Sequence, residues 1–503
     1  MAPDSESKTV MVSRRAALGL LGAGGAAAVL ASCGMGNSGP TTTKNTNVGG
    51  SPGEAFVSPS QLRSANGVLE VALTAAATMV PWGSSERYAL TYNGSVPGPT
   101  LRLRPGDTLR VTLKNELDQA TNLHTHGLHV SPEGNSDNVF LMIEPGQSFT
   151  YEYKIPANHP SGTFWYHPHH HGNVAPQVFG GMAGAIIIDD AIDDSSSFNT
   201  TTERILVLAD PRIGTTSAVL DATTADKQQG REGDVIVVNG QLQPQLTAKS
   251  GTIERWRIIN ASASRYYRLT VDAPELFLVG TDQGRFTAPV KVSDVTLTPG
   301  QRAEVLVPLA ATGTVTLSTT EVERGKNMSM GGGMAMMGGG NSGASIGPTT
   351  PLLSVVVNGT STVSSNLPVE VRTTVPNAPA PTSTRSISFG AMSMGNGEFV
   401  IDGHAFSEDR ITASPKLGTT EDWVITNNSM MDHPFHIHVN PFQVVARSGN
   451  KPLDPGWRDT VNIPVGESVT IRMPFDDFSG KTVFHCHILD HEDLGMMANI
   501  DIV

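Results

Sequence analysis

From about residue 66 onward, apolar and polar residues alternate in short runs, as in residues 108–113, 254–258 and 468–472. A period of two is that of a strand with one buried face. No sustained helical period appears, and Pro-Gly and Asn-Gly pairs interrupt the runs, so the pattern predicts short strands joined by tight turns. Three landmarks then recur in fixed order. A turn comes first, at Asn93-Gly94, Asn239-Gly240 and Asp402-Gly403. A strand ending in asparagine follows, at Asn115, Asn260 and Asn427. A Pro/Gly turn before another strand comes third, at Pro145-Gly146, Pro299-Gly300 and Pro464-Val465-Gly466. A repeat longer than a solenoid unit predicts three tandem Greek-key β-sandwiches in an all-β chain. Their expected limits are 66–190, 191–360 and 385–503, with a linker over 361–384 that carries Pro376, Pro379 and Pro381.

Composition agrees with this division. At 503 residues the chain is too long for one core. Its 52 glycines and 33 prolines, against 16% charged residues, favour turns over long helices. A net charge of −13 argues against a nucleic-acid partner. The two cysteines, Cys33 and Cys486, are too few for a disulfide framework, so each thiol is read singly.

The N-terminus reads as an address. Arg14 and Arg15 precede an apolar stretch, residues 18–31, too short to span a bilayer as a helix. The pair and the weakly apolar stretch are similar to a twin-arginine export signal over residues 1–32, with the general export route still open. Leu30-Ala31-Ser32-Cys33 resembles a bacterial lipobox, which makes Cys33 the expected lipidation site. The expected location is the outer face of the bacterial cytoplasmic membrane, at the cell surface or in the periplasm, held by the lipid alone. Residues 33–65, rich in small polar residues, are expected to form a flexible tether.

Ten of the fifteen histidines fall in four short clusters: His124 and His126; His167 and His169; His433, His436 and His438; His485, His487 and His491. Residues i and i+2 of a strand share a face, so each His-x-His pair presents two imidazoles together. Cys486, between His485 and His487, then points to the other face, and one tripeptide serves two metal sites. A thiolate, two imidazoles and an axial thioether define a blue copper site. Cys486, His491, Met496 and the distant His433 supply them. Eight histidines remain, too many for a mononuclear zinc site.

With these motifs in order, His124-Thr125-His126-Gly127, Trp165-Tyr166-His167-Pro168-His169, His433 to His438 and His485 to Met496, the chain resembles the multicopper oxidases over residues 66–503, especially three-domain bacterial cuprous oxidases and laccases. The resemblance implies cupredoxin folds and four copper ions. The type 1 ion would lie in the third domain. His124 and His436 would bind the type 2 ion; His126, His167, His169, His438, His485 and His487 would bind the type 3 pair. The middle domain, without motif histidines, would be structural. Four one-electron stores match the reduction of O2 to two waters, and Glu492 and Asp137 are the expected proton carriers. The alternative for each of those two acids is a surface carboxylate. His129, His159, His170, His171 and His404 are expected to be surface or supporting groups, and Met497 to be packing.

The donor is less constrained. Cu(I), phenolic compounds and other low-valent metals are all compatible. Soft thioethers favour Cu(I), and five methionines, Met328, Met330, Met334, Met336 and Met337, crowd a loop expected over 326–347. Family members that oxidise Cu(I) usually carry such an insert in the third domain, in whose corresponding early stretch this chain keeps only Met392 and Met394. Met431 matches a methionine that binds substrate copper in them, whereas Ser429 replaces their acid, with Asp432 nearby. The favoured reading is a cuprous oxidase. A laccase is the alternative, and a copper-free envelope scaffold or a copper store is a remote one.

Overall fold

The computed structural model describes residues 53–82, 85–195, 198, 201–212, 222–325, 349–362, 366–372, 375–390, 399–451, 453 and 456–503. The expected all-β architecture is present as six sheets in three consecutive pairs. The first pair sets a five-stranded sheet holding His124–His126 and Gly162–His167 beside a four-stranded sheet built on Val68–Trp82 and Thr108–Asn115. The middle pair has six strands around Thr252–Asn260 and Arg302–Leu309, and five around Gly313–Thr320 and Thr350–Thr360. In the third, one sheet centres on Thr419–Asn427 and the other holds His433–Ile437, Thr460–Ile463 and Gly480–Cys486. Each pair encloses its own apolar core.

The three repeated landmarks make the same contacts in each copy. Asn93, Asn239 and Asp402 adopt positive φ at their turns, and the side-chain oxygen of each accepts from a neighbouring strand, at Thr74, Val207 and Ser388. Asn115, Asn260 and Asn427 each close a strand, and each donates its Nδ2 to two main-chain carbonyls. Their own carbonyls accept from Gly146, Gly300 and Gly466, which joins the second landmark to the third. Trp256 and Trp423 stand four residues before the asparagine and fill the cores they face; Val111 takes that place in the first copy.

Two expectations change. The tether is not free along its whole length: Phe56 packs on the middle core, Ala55 bridges to Gln245, and Gln61–Arg63 pairs in parallel with Thr100–Leu103. Backbone hydrogen bonds and one half-buried aromatic, Phe56, outweigh the low apolar content there. The strand Thr252–Asn260, expected to be buried on one face, is buried on nearly every residue. Its charges meet partners on its own sheet and in the segment that leads into it: Arg257 donates to Glu203 at 2.7 Å and Glu304 at 3.1 Å, and Arg255 to Asp193 at 2.7 Å. Paired and hydrogen-bonded charges tolerate such burial. The proposed signal, Cys33, the Met-rich loop and Met392 and Met394 lie outside the described residues. Among the described residues no helix is long and apolar enough to cross a membrane.

Candidate metal centres

Strand register brings the histidine clusters together. His124 is opposite His167 in the first sandwich, and His436 is opposite His485 in the third. The two edges then meet. His126 stacks on His436, and His124 on His438, each at 3.8 Å between ring centres. His169 Nε2 lies 3.1 Å from His485 Nε2, which lies 3.2 Å from His438 Nε2. Two nitrogens each about 2 Å from one ion subtend roughly that separation. His487 completes the group, its ring centre 4.9 Å from that of His126. All eight imidazoles are almost wholly buried.

Burial is the first cause lowering the basicity of every one of these rings, and neighbouring imidazoles add to it for all but His485. His167 is held at about 3 and His485 at about 4, so the rings stay neutral and keep a lone pair. His124 Nε2, His126 Nδ1, His167 Nε2, His436 Nε2 and both nitrogens of His487 have no hydrogen-bond partner. Orphaned buried acceptors cost free energy unless a cation takes them. Copper ions fit this set of donors.

The second site lies across the strand. Cys486 pairs with Phe435 and turns its thiol into the third core. Sγ is 3.3 Å from His433 Nδ1 and 3.7 Å from His491 Nδ1, and the two nitrogens are 3.3 Å apart. Burial pushes the Cys486 thiol up, so a thiolate there requires a cation. Met496 is buried in the same cluster; its carbonyl accepts from Cys486 N, and its N–H donates to His491. A short helix, Leu489–Asp493, carries His491.

Neither expected proton carrier is a surface group. Glu492 is fully buried, with Oε2 3.1 Å from His485 Nδ1 and Oε1 3.4 Å from His169 Nε2. Burial first, then the charge of Asp493, raises its pKa well above the usual carboxylate range. Asp137 accepts from His124 Nδ1 at 2.9 Å and from the Thr125 amide. The remaining histidines divide: His404 is exposed, whereas His159 is buried and accepts from the His129 amide. Met497 packs with Val139 and Val483.

Three contributors escaped the sequence reading. Asp459 Oδ1 accepts from His126 Nε2 at 3.0 Å, and its carbonyl accepts from His436 Nδ1 at 2.9 Å. Gln228 of the middle sandwich offers its carbonyl to His491 Nε2 at 3.2 Å. Arg302, also of the middle sandwich, binds Asp459. No spacing marks them, because Gln228 and Arg302 are brought in by packing between sandwiches and Asp459 by strand pairing within the third. The register is the one signal, placing Thr460, next to Asp459, opposite His436.

Family models described as multicopper oxidase match residues 74–193, 212–336 and 373–503. A multicopper oxidase of Staphylococcus haemolyticus is 30% identical over 422 residues, covering 82% of this chain and 83% of the relative. The cell division protein FtsP of Xenorhabdus nematophila is 28% identical over 424 residues, covering 81% and 84%. Among solved structures, a multicopper oxidase of Campylobacter jejuni described as a metallo-oxidase superposes with a TM-score of 0.78 at 30% identity, covering 90% of this chain and 96% of that one. A laccase-like multicopper oxidase of Ochrobactrum sp., described as active towards lignin model compounds, gives 0.75 at 28%, covering 89% and 100%.

Proposed function

We propose the following assignments for this chain, which belongs to the multicopper oxidase family and is an oxidoreductase built of cupredoxin-like sandwiches. His433, Cys486, His491 and Met496 hold the type 1 copper. His124 and His436 hold the type 2 ion, and His126, His167, His169, His438, His485 and His487 the type 3 pair. When bound, the ions supply one-electron storage and, together, the four electrons that take O2 to two waters.

The chain's own residues do the rest. Cys486 is one peptide bond from His485 and from His487, which gives a short covalent path from the thiolate to the cluster. Glu492, buried and held largely protonated beside His485 and His169, keeps a proton where oxygen is reduced. Asp137 fixes the ring of His124 by accepting a hydrogen bond from its Nδ1–H. The tight burial of the histidines excludes bulk water from partly reduced oxygen.

Cu(I) is the favoured donor, and one observation carries that choice. A methyl at Gly325 would meet the Met430 carbonyl at 2.6 Å and Met431 Cα at 3.0 Å, and Asp432 N donates to the Arg324 carbonyl. Gly325, the last described residue before the Met-rich segment, therefore lies against Met431, two residues before His433. Met328 follows Gly325 by three residues, a reach of at most about 10 Å. Met430, Met431 and the loop methionines Met328, Met330, Met334, Met336 and Met337 thus have the means to gather a soft cation at the type 1 edge. The laccase reading draws on a different observation. Ser429 offers only a hydroxyl, 2.8 Å from His433 Nε2, and both oxygens of Asp432 are taken by Asn462 and Val465, so no free carboxylate meets a cation there. Steady-state turnover of Cu(I) against a phenol, with oxygen uptake as readout, tests the choice. Cu(I) is expected to give the higher kcat/KM, and a clear preference for the phenol would reverse it. Export and lipid attachment at Cys33 would place this activity at the outer face of the membrane. The shared similarity to FtsP does not favour a scaffold role, because all twelve proposed ligands are present in this chain.

A further inference from the structure

We propose that Arg302, on a strand of the middle sandwich, is a positioning residue for the three-copper cluster: through Asp459 it fixes which nitrogen His126 turns to the metal. The inference rests on the copper assignments above. It gives the middle sandwich, expected from the sequence to be only structural, a part in the reaction.

Arg302 is fully buried, and each of its five N–H groups has an acceptor. NH1 donates to Asp459 Oδ1 at 2.7 Å and NH2 to Asp459 Oδ2 at 2.6 Å, a two-point ion pair. The other three go to main-chain carbonyls: Nε to Thr163 at 3.1 Å, NH1 to Gly300 at 3.2 Å and NH2 to Asp282 at 2.8 Å. Thr163 belongs to the first sandwich, Gly300 and Asp282 to the middle one and Asp459 to the third, so one guanidinium ties all three together.

Asp459 passes that constraint to the ligands. Its Oδ1 accepts from His126 Nε2, which requires the ring proton to sit on Nε2 and leaves the lone pair on Nδ1. His126 Nδ1 is the buried nitrogen without a partner. The carbonyl of Asp459 accepts a hydrogen bond from His436 Nδ1–H and leaves Nε2 of that ring free. One residue therefore sets opposite tautomers in two stacked rings. Gln283 Nε2 binds Asp459 Oδ2 at 2.7 Å, and Gln301 Nε2 binds the Thr460 carbonyl at 3.1 Å, so the middle sandwich grips this segment at several points. Its approach is close: a methyl at Gly300 would lie 2.9 Å from His126 Cε1 and His487 Nε2. Without Arg302, the Asp459 carboxylate loses the two-point contact that fixes its plane and is free to rotate away from His126. The tautomer of His126 is then undefined. Lysine keeps the charge but cannot reproduce a planar fork with five donors.

Copper-loaded wild type, Arg302→Met and Arg302→Lys are compared for the blue band, the near-ultraviolet type 3 band and copper retained against a graded chelator. Arg257→Met, which breaks buried ion pairs within the middle sandwich, serves as the structural control. In Arg302→Met the blue band per chain is expected to persist while the near-ultraviolet band is lost and retention at the cluster falls about 10–100-fold. Arg302→Lys, which keeps the charge and folds more readily, should show the same split to a smaller degree. Arg257→Met should lower the melting temperature and keep both bands. If both Arg302 variants keep the near-ultraviolet band and wild-type retention, or if blue and near-ultraviolet bands fall in step in Arg302→Lys, the positioning role is overturned. Absence of the near-ultraviolet band from wild type itself would instead overturn the copper assignment, and this inference with it.

Discussion

Cys486 and His485 are consecutive on one strand and serve opposite faces of it: the Cys486 thiol lies 3.3 Å from His433 Nδ1, and His485 Nε2 lies 3.1 Å from His169 Nε2. The separation of the thiol cluster from the histidine cluster is thus a consequence of strand alternation. In the proposed assignment the peptide between them would couple the two sites.

Cys486→Ser removes the one thiolate while nearly keeping side-chain volume. The blue colour is expected to vanish and activity to fall to background with Cu(I) and phenols alike, while far-ultraviolet circular dichroism is unchanged. A variant that stays blue would show that another residue is the ligand.

Glu492→Gln keeps size and burial but removes the transferable proton. Reoxidation of the fully reduced enzyme by O2, followed by stopped flow, is expected to slow by about 10²–10⁴-fold. Reduction of the type 1 site by the donor should proceed at the wild-type rate. Unchanged reoxidation would reduce Glu492 to a buried bystander.

Much of this was legible in the sequence because it is carried by local chemistry. Positive-φ turns need Asn, Asp or Gly, and a strand-closing asparagine binds its own neighbourhood, so the three landmarks were visible as residue types. The His-x-His pairs were visible for the same reason. Arg302 and the Gln228 carbonyl were not, since they reach the site only through packing between sandwiches, and Asp459 was not, since it reaches His436 through strand register and His126 through packing against the first sandwich. The ordered stretch from Gly53 to Arg63 was missed because its stability comes from edge pairing with Gln243, Gln245 and Thr100–Leu103, which composition does not register.

The repeated asparagines give a stability test away from the metals. Asn260→Ala strips the Arg265 and Leu297 carbonyls and the Ser262 amide of their partners in a buried setting. A loss of about 2–5 kcal/mol is expected in denaturant unfolding, with the blue band of the folded protein unaltered. A loss under about 1 kcal/mol would mean that water replaces these bonds.

Deleting residues 328–337 separates the two donor classes. Under the cuprous-oxidase proposal these thioethers would help to gather Cu(I), whereas for an aromatic donor they would only obstruct. Cuprous oxidase activity at limiting copper is expected to fall, and phenol oxidation to stay level or rise. Unaltered Cu(I) kinetics would move the laccase reading ahead.

The most direct measurement is the absorption spectrum and copper content of the purified, copper-loaded chain. Four coppers per chain, an intense blue thiolate band and a near-ultraviolet shoulder that disappears on reduction and returns with O2 are the expected result. A colourless protein, or one that binds a single ion and lacks the near-ultraviolet shoulder, would contradict it.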